Sequence, residues 1–247
     1  MSDTSLSARL AEGDFRIGRV LNRTSSVLSR NFVIFFVVTT IANLPGALVL
    51  KIAADPASAG SSRGTILLGS FLTMVLSAVS QAVVVYGAFQ DMRGRPASVT
   101  DSLKIGLYRF LPVIGLAILM SLGTAFGALL LIIPGVILFV MWYVAMPACV
   151  VERLGPFDSM ARSSELTKGH RWKIFGLVLL LCLGVVVSEV LDEALSTMAS
   201  AALTLIGTLL WNGVRGAFYA IAAVVTYHDL RVAKEGINIE QIAAVFD

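Results

Sequence analysis

The sequence predicts an all-α integral membrane protein with six transmembrane helices, and three observations support this fold class. Of the 247 residues, 57% are hydrophobic and only 14% are charged, with a mean hydropathy of +0.84. A soluble domain of this size cannot bury so much apolar surface. The apolar residues form runs close to the ~20 residues that cross a bilayer. Basic residues are concentrated between alternate runs. A multipass helical bundle accounts for all three.

Six runs are long enough to cross a bilayer. They are Phe32–Leu50, Thr65–Gly87, Pro112–Ile133, Gly135–Val151, Ile174–Leu191 and Leu203–Tyr227. Asn43 and Pro45 interrupt the first run, and a tight turn at Pro134-Gly135 is expected to divide the third from the fourth. Membrane helices tolerate such residues better than soluble helices do. Residues 1–31 are polar and contain arginines, so we expect the first run to be retained rather than removed as a signal peptide.

The distribution of basic residues predicts the orientation of the bundle. Sixteen of the 19 lysines and arginines fall in residues 1–31, 91–111, 152–173 and 228–247. Lys51 and Arg63 lie in the first loop on the opposite side, and Arg215 lies inside the sixth run. Cytoplasmic loops of membrane proteins carry the excess of positive charge. We therefore expect both termini in the cytoplasm and the protein in a bacterial cytoplasmic (inner) membrane.

We expect one membrane domain over residues 1–247. It comprises a cytoplasmic amphipathic segment at 1–31, a six-helix bundle at 32–227 and a cytoplasmic amphipathic tail at 228–247. An amphipathic stretch, an aromatic and basic junction, an outward helix and a returning helix recur along the chain. The junctions read Ser29-Arg30-Asn31-Phe32, Tyr108-Arg109-Phe110 and His170-Arg171-Trp172. This pattern predicts three repeats of a helix-hairpin unit.

The first amphipathic stretch is the clearest of them, and it is basic. Its apolar face carries Ile17, Val20, Leu21, Thr24, Val27 and Leu28, and its flank carries Arg16, Arg19, Arg23 and Arg30. This pattern is typical of a helix that lies in the headgroup layer of a membrane. We predict that the four arginines contact anionic lipid, together with Arg171 and Trp172 at the third junction. The alternative is that these charges only set the topology.

Several stretches carry a family resemblance. They are Ile132-Ile133-Pro134-Gly135, then Pro147, Val151-Glu152 and Gly155, the run Ala161-Arg162-Ser163-Ser164-Glu165-Leu166-Thr167-Lys168-Gly169-His170-Arg171-Trp172, and Tyr227-His228-Asp229-Leu230-Arg231 with Gly236. In these residues the chain resembles the membrane domain that precedes the catalytic domain in some bacterial glycerophosphoryl diester phosphodiesterases. It also resembles the free-standing YciC-like inner-membrane proteins. The resemblance implies a six-helix membrane bundle. It does not imply phosphodiesterase activity, which in that family belongs to a separate soluble barrel domain.

Arg215 is the one basic residue well inside an apolar run, ~18 Å from Tyr227 at about 1.5 Å per residue. An arginine at this depth normally faces protein or a water-filled cavity. Asn212 and Tyr219 share its helix face, and Asn43 lies at a similar depth. Two interpretations stay open. These four residues line a binding pocket for an anion or a lipid headgroup, or Arg215 is a structural strut.

An acidic cluster precedes the sixth run. Glu189, Asp192 and Glu193 share one helix face, which fits either a helix end in water or a cation site. We do not expect Glu189 to bridge to Arg215. If the hairpin turns near Thr197, the two residues are about ten positions out of register, or ~15 Å along the helices.

No phosphate-binding loop, zinc spacing, nucleophile elbow or carboxylate dyad occurs in the sequence. We therefore expect no enzymatic activity, no metal and no cofactor, and we interpret Cys149 and Cys182 as small hydrophobic residues. Gly123 and Gly127 predict close helix packing, within the chain or between copies.

The leading hypothesis is a lipid-interacting or scaffolding membrane protein. Its expected partners are the bilayer, a second copy or another membrane protein, and not nucleic acid. The alternative is a transporter or channel for a small anionic or amphipathic solute.

Overall fold

The computed structural model describes residues 15–54, 63–95, 99–196 and 201–235, and these residues form α-helices joined by short connections. The helices are α1 (Ile17–Arg30), α2 (Phe32–Ala54), α3 (Arg63–Met92), α4 (Val99–Tyr108), α5 (Phe110–Leu130), α6 (Ile132–Trp142), α7 (Ala145–Val151), α8 (Pro156–Thr167), α9 (Arg171–Ser196) and α10 (Ala201–Glu235). The predicted all-α fold class is confirmed. The amphipathic tail predicted within 228–247 lies outside the described residues from position 236 onwards.

Within the described residues, six segments are long and apolar enough to cross a membrane. They are Phe32–Val49, Gly64–Met92, Phe110–Leu130, Ile132–Val151, Arg171–Val190 and Ile206–Glu235. They coincide with the six predicted runs, so the chain is a multipass membrane protein. Large apolar side chains face outward along these segments, among them Val33, Leu67 and Leu111, each 69–78% exposed. Such surfaces are stable against lipid and not against water.

The turn between the third and fourth spans lies at Leu131, three residues before the predicted site at Pro134-Gly135. Leu131 has an extended backbone, with φ −164° and ψ 142°, and its N–H donates to the Gly127 carbonyl at 3.1 Å. Pro134 lies instead in the first turn of α6. The N–H groups of a first helical turn have no intrahelical acceptor, so a proline costs nothing there.

Two glycines of α5 allow this hairpin to close tightly. A Cβ on Gly127 would lie 3.0 Å from the Gly135 Cα, and one on Gly123 would lie 2.6 Å from the Trp142 ring. Neither position has room for a larger side chain without movement of α6. The prediction that this glycine pair serves close helix packing is confirmed, and the packing occurs within one chain.

Helix α10 packs on α2, α3 and α1. Its Ala217, Ile221 and Val224 are buried in the core. Where α10 crosses α2, the buried Thr39 hydroxyl lies 2.8 Å from the Gly213 carbonyl and equally close to the Phe35 carbonyl of its own helix, so it can donate to either. A hydroxyl in an apolar interior needs such a partner, because leaving it unpaired costs stability. The contact with Gly213 marks a point where the two helices approach closely.

Helix α1 packs on protein, which corrects the expectation that its apolar face lies in the headgroup layer. Val20, Thr24 and Val27 are fully buried, and α1 contacts α10 and the start of α9. Just before the helix, Phe15 is 2% exposed and meets His170 edge to face, with the ring centroids 6.3 Å apart. Amphipathicity reports that one face is apolar and does not identify what covers it. The predicted lipid contacts of the α1 arginines stay a prediction.

The order of the helices supports the threefold repeat. Each of the short helices α1, α4 and α8 is followed by a break and then by two spans. The breaks fall at Asn31, at Arg109 and at residues 168–170, where the predicted junctions lie. Each unit therefore places a short helix at one end of the bundle, next to the start of its first span.

Candidate functional site

Arg215 lies in the interface of α9 and α10 and has partners on both helices. One guanidinium nitrogen donates to the Glu189 carboxylate and, at 3.3 Å, to the Ser188 hydroxyl. The other donates to the Asn212 side-chain oxygen at 2.5 Å. The Arg215 side chain is 24% exposed and that of Glu189 is 60% exposed. The prediction that Glu189 and Arg215 do not bridge is therefore wrong.

That prediction compared Cα positions and neglected the direction of the side chains. Helical side chains lean toward the N-terminus of their own helix. Because α9 and α10 run antiparallel, Arg215 leans toward the connection of this hairpin and Glu189 leans away from it, so the two approach each other by about one turn, ~5 Å, each. The connection also lies later than assumed, since α9 extends to Ser196 and α10 begins at Ala201.

Of the four residues predicted to line a pocket, the structure brings Arg215 and Asn212 together, and Tyr219 lies in the same interface. Arg215 bonds Asn212, while the Tyr219 hydroxyl donates to the Leu181 carbonyl of α9 at 3.1 Å. The Asn43 amide donates within its own helix, to the Thr39 carbonyl at 2.7 Å. These bonds favour the strut over the pocket. The side chains of Asp192 and Glu193 lie outside the described residues.

A second network joins α7, α8 and α10 at the opposite end of the bundle. Both oxygens of Glu152 accept from the Arg162 Nε at 3.1 Å, and the Tyr227 hydroxyl donates to Glu152 at 2.6 Å. Arg162 also bonds Glu235, which accepts from the Arg231 Nε at 2.8 Å. Partial burial alone lowers the pKa of Arg162, but hydrogen bonds to Glu235 and Glu152 outweigh it and raise the pKa above its ordinary value. The guanidinium therefore stays charged in the folded protein.

A basic pocket of about 370 Å³ opens between α1 and the end of α3. Its lining is Arg19, Asn22, Arg23, Ser26 and Arg30 from α1, with Asp91 and Met92 from α3. Two of the arginines hold α1 in place. Arg30 pairs with Asp91 at 2.6 Å, and Arg23 lies 3.6 Å from the Asp229 carboxylate of α10, which is 7% exposed. The Asn31 amide adds a bond to Asp91 at 2.9 Å.

Aromatic side chains are exposed at the repeat junctions on this same end of the bundle. Tyr108 is 88% exposed beside Arg109, and Trp172 is 85% exposed beside Arg171. Phe32, at the first junction, is 41% exposed and stacks on Phe36 with the ring centroids 5.5 Å apart. Tyr and Trp rings are enriched where a membrane meets water.

Neither the pocket nor the Glu152 network was predicted from the sequence, although the spacing of some of their residues is a recognisable pattern. The positions of Arg19, Arg23, Ser26 and Arg30 follow the i, i+4, i+7, i+11 spacing of one helix face. Arg231 and Glu235 form an i, i+4 pair of opposite charge. Their partners Asp91 and Glu152 come from other helices, and no spacing along the chain identifies them.

Comparisons of the chain with protein-family models, with curated proteins and with solved structures found no match. The resemblance to the membrane domain of glycerophosphoryl diester phosphodiesterases therefore stays a prediction. What the protein does must follow from the chemistry of its own surfaces.

Proposed function

We propose that this chain is a lipid-interacting protein of a bacterial inner membrane, with both termini in the cytoplasm and no catalytic role. Its basic end binds anionic lipid headgroups and thereby anchors or organises the bilayer around the bundle. The observation that carries this proposal is the pair of exposed aromatic residues, Tyr108 and Trp172, that stand beside arginines where the spans begin.

The chemistry of the junctions fits anionic lipid. An amphipathic ring lies at headgroup depth, with its apolar edge toward the acyl chains. A basic side chain at that depth gains about 1 kcal/mol from the negative surface potential of an anionic leaflet. Arg16 and Arg30 are exposed at the same end, and the side chain of Arg30 is 56% exposed. Several such contacts together would give a preference for anionic over zwitterionic lipid.

The ion pairs inside the bundle favour lipid binding over transport. Arg215 is bonded to three neighbours, and Glu152 and Arg162 are bonded to each other across two helices. A transport site needs polar groups that are left for the solute, and an alternating pathway needs interfaces that separate. These groups are instead committed to holding α7, α8, α9 and α10 in one arrangement.

Quenching of tryptophan fluorescence by brominated lipids tests the proposal. The chain has three tryptophans, so replacing Trp142 and Trp211 by phenylalanine leaves Trp172 as the reporter. In nanodiscs, brominated phosphatidylglycerol should quench Trp172 more strongly than brominated phosphatidylcholine at equal mole fraction, and salt should reduce the difference. Trp211 alone, 44% exposed on α10, is the matched control and should show no preference. Equal quenching of Trp172 by both lipids would contradict the proposal.

A further inference from the structure

The pocket between α1 and α3 has the size and the charge of a binding site for one phosphate group. Three guanidinium groups line it against one carboxylate, that of Asp91, and a second carboxylate, that of Asp229, lies behind the lining at 3.6 Å from Arg23. Asp91 is already paired with Arg30 at 2.6 Å and bonded to Asn31 at 2.9 Å. The volume of the pocket, about 370 Å³, lies at the small end of the range of ligand sites, about 300–1,000 Å³.

Guanidinium groups are the side chains best suited to phosphate oxygens, because their donors form a planar fork. The lining adds neutral polar groups from the same helix, the Asn22 amide and the Ser26 hydroxyl. Both residues are exposed, and the Ser26 hydroxyl accepts from Arg30 at 3.3 Å. Only Met92 is apolar, so the pocket suits a charged group rather than an acyl chain.

The helix that carries these groups is held rigidly. The apolar face of α1 is buried on the bundle at Val20 and Val27, and its arginines reach Asp229 and Asp91 on two other helices. A site on a packed helix presents its donors without a large ordering cost on binding. The pocket is thus preformed, whereas a free amphipathic helix would have to fold on the membrane first.

Next to the pocket, α2 offers a surface for acyl chains. Two residues after Arg30, an exposed apolar stripe begins and runs along α2. Its members are Phe32, Val33, Val37, Ile41 and Leu44, which are 39–70% exposed. A phosphate held by α1 would therefore have apolar surface beside it, which fits a phospholipid better than a soluble phosphate ester.

We infer that Arg19, Arg23 and Arg30 form a specific site for the phosphate of an anionic phospholipid headgroup. This inference rests on the proposed lipid-binding function and deepens it, because it replaces a general preference by one saturable site between α1 and α3. A soluble phosphate ester shares the headgroup chemistry and is the alternative source of the ligand.

The test adds one negative charge to the pocket without removing an arginine. Asn22→Asp is nearly isosteric at an exposed position in the lining, and Ser25→Asp places the same charge on α1 at an exposed position outside it. Melting of the full chain in uncharged detergent is followed during titration with short-chain phosphatidylglycerol, glycerol 3-phosphate, inorganic phosphate or short-chain phosphatidylcholine. Binding to the folded state raises the melting temperature, so the titration reports affinity.

We expect saturable stabilisation by phosphatidylglycerol, none by phosphatidylcholine, and an affinity about tenfold lower in Asn22→Asp, the order expected for one added charge a few ångströms from the ligand. Ser25→Asp should bind like the wild type.

Equal loss in both variants, or in neither, would overturn the site and leave the general lipid function standing. Glycerol 3-phosphate or inorganic phosphate binding as tightly as the lipid would overturn the lipid as the ligand. No stabilisation of the wild type by any anion would overturn the site, and equal quenching of Trp172 by both lipids would separately overturn the function.

Discussion

Replacing Glu152 by glutamine tests the network that joins α7, α8 and α10. The change keeps the shape of the side chain and removes its charge. In the folded protein, Glu152 accepts from the Arg162 Nε through both oxygens at 3.1 Å and from the Tyr227 hydroxyl at 2.6 Å. Tyr227 is fully buried, and the side chains of Glu152 and Arg162 are 18% and 21% exposed. The bonds are therefore poorly screened by water.

The expected loss of stability is about 2 kcal/mol. Hydrogen bonds to a charged group contribute ~1.5–3 kcal/mol each, and breaking a buried ion pair costs ~3–5 kcal/mol. The range for a hydrogen bond to a charged group applies here rather than the range for a broken ion pair. Arg162 keeps its bond to Glu235, and glutamine can still accept from Tyr227. For a chain of this length, a loss of about 2 kcal/mol lowers the melting temperature by ~4–8 °C.

The matched control is Glu165→Gln. Glu165 lies 3.5 Å from the same guanidinium of Arg162, but its side chain is 70% exposed. An exposed pair contributes little, so this variant should lose under about 0.5 kcal/mol. Both variants are purified in the same detergent and melted with tryptophan fluorescence as the signal. Equal losses in the two variants would refute the reasoning, because the effect would then follow the charge of Arg162's partners rather than their burial.

The remaining predictions concern packing, the strut and the topology. Gly135→Ala should destabilise the α5–α6 hairpin by about 1–3 kcal/mol, because its Cβ would lie 2.7 Å from the Ala128 nitrogen. Gly207→Ala, which meets nothing within 4 Å and lies inside α10, should melt at or slightly above the wild type. Arg215→Met should lower the melting temperature by leaving the Asn212 side-chain oxygen and the Glu189 carboxylate without their partner, and unchanged melting would contradict the strut. In a cysteine-free background, a cysteine at the exposed Lys168 should react with an impermeant thiol reagent only from the cytoplasmic side.

The spans and their order could be predicted from the sequence because the information for them is local. A run of about 20 apolar residues is sufficient evidence of a spanning helix whatever its neighbours are. The breaks at Asn31, Arg109 and residues 168–170 also follow from residues beside them. The turn at Leu131 was misplaced by three residues, because proline is as acceptable in the first turn of a helix as in the loop before it.

The contacts between helices could not be predicted in this way. Glu152 and Tyr227 are 75 positions apart, and Arg30 and Asp91 are 61 apart. Each acid has several basic residues that could pair with it, and the choice depends on which helix ends meet in three dimensions. The Arg215 and Glu189 pair shows the limit even for consecutive helices, because their long side chains close a gap that backbone register leaves open.

Helix α1 shows why amphipathicity alone assigns no function. Its apolar and charged faces have different roles. A vesicle-binding assay on the isolated segment would not distinguish the two roles. The buried face, with Val20 and Val27, holds the helix on α10, so Val20→Glu should destabilise the whole bundle by placing an unpaired carboxylate in the core. Of the two faces of α1, only the arginine face remains accessible to lipid in the folded protein. A change there, such as Asn22→Asp, should alter lipid affinity at unchanged stability in the absence of lipid. Parallel loss of stability and affinity in both variants would mean that the two faces do not act separately.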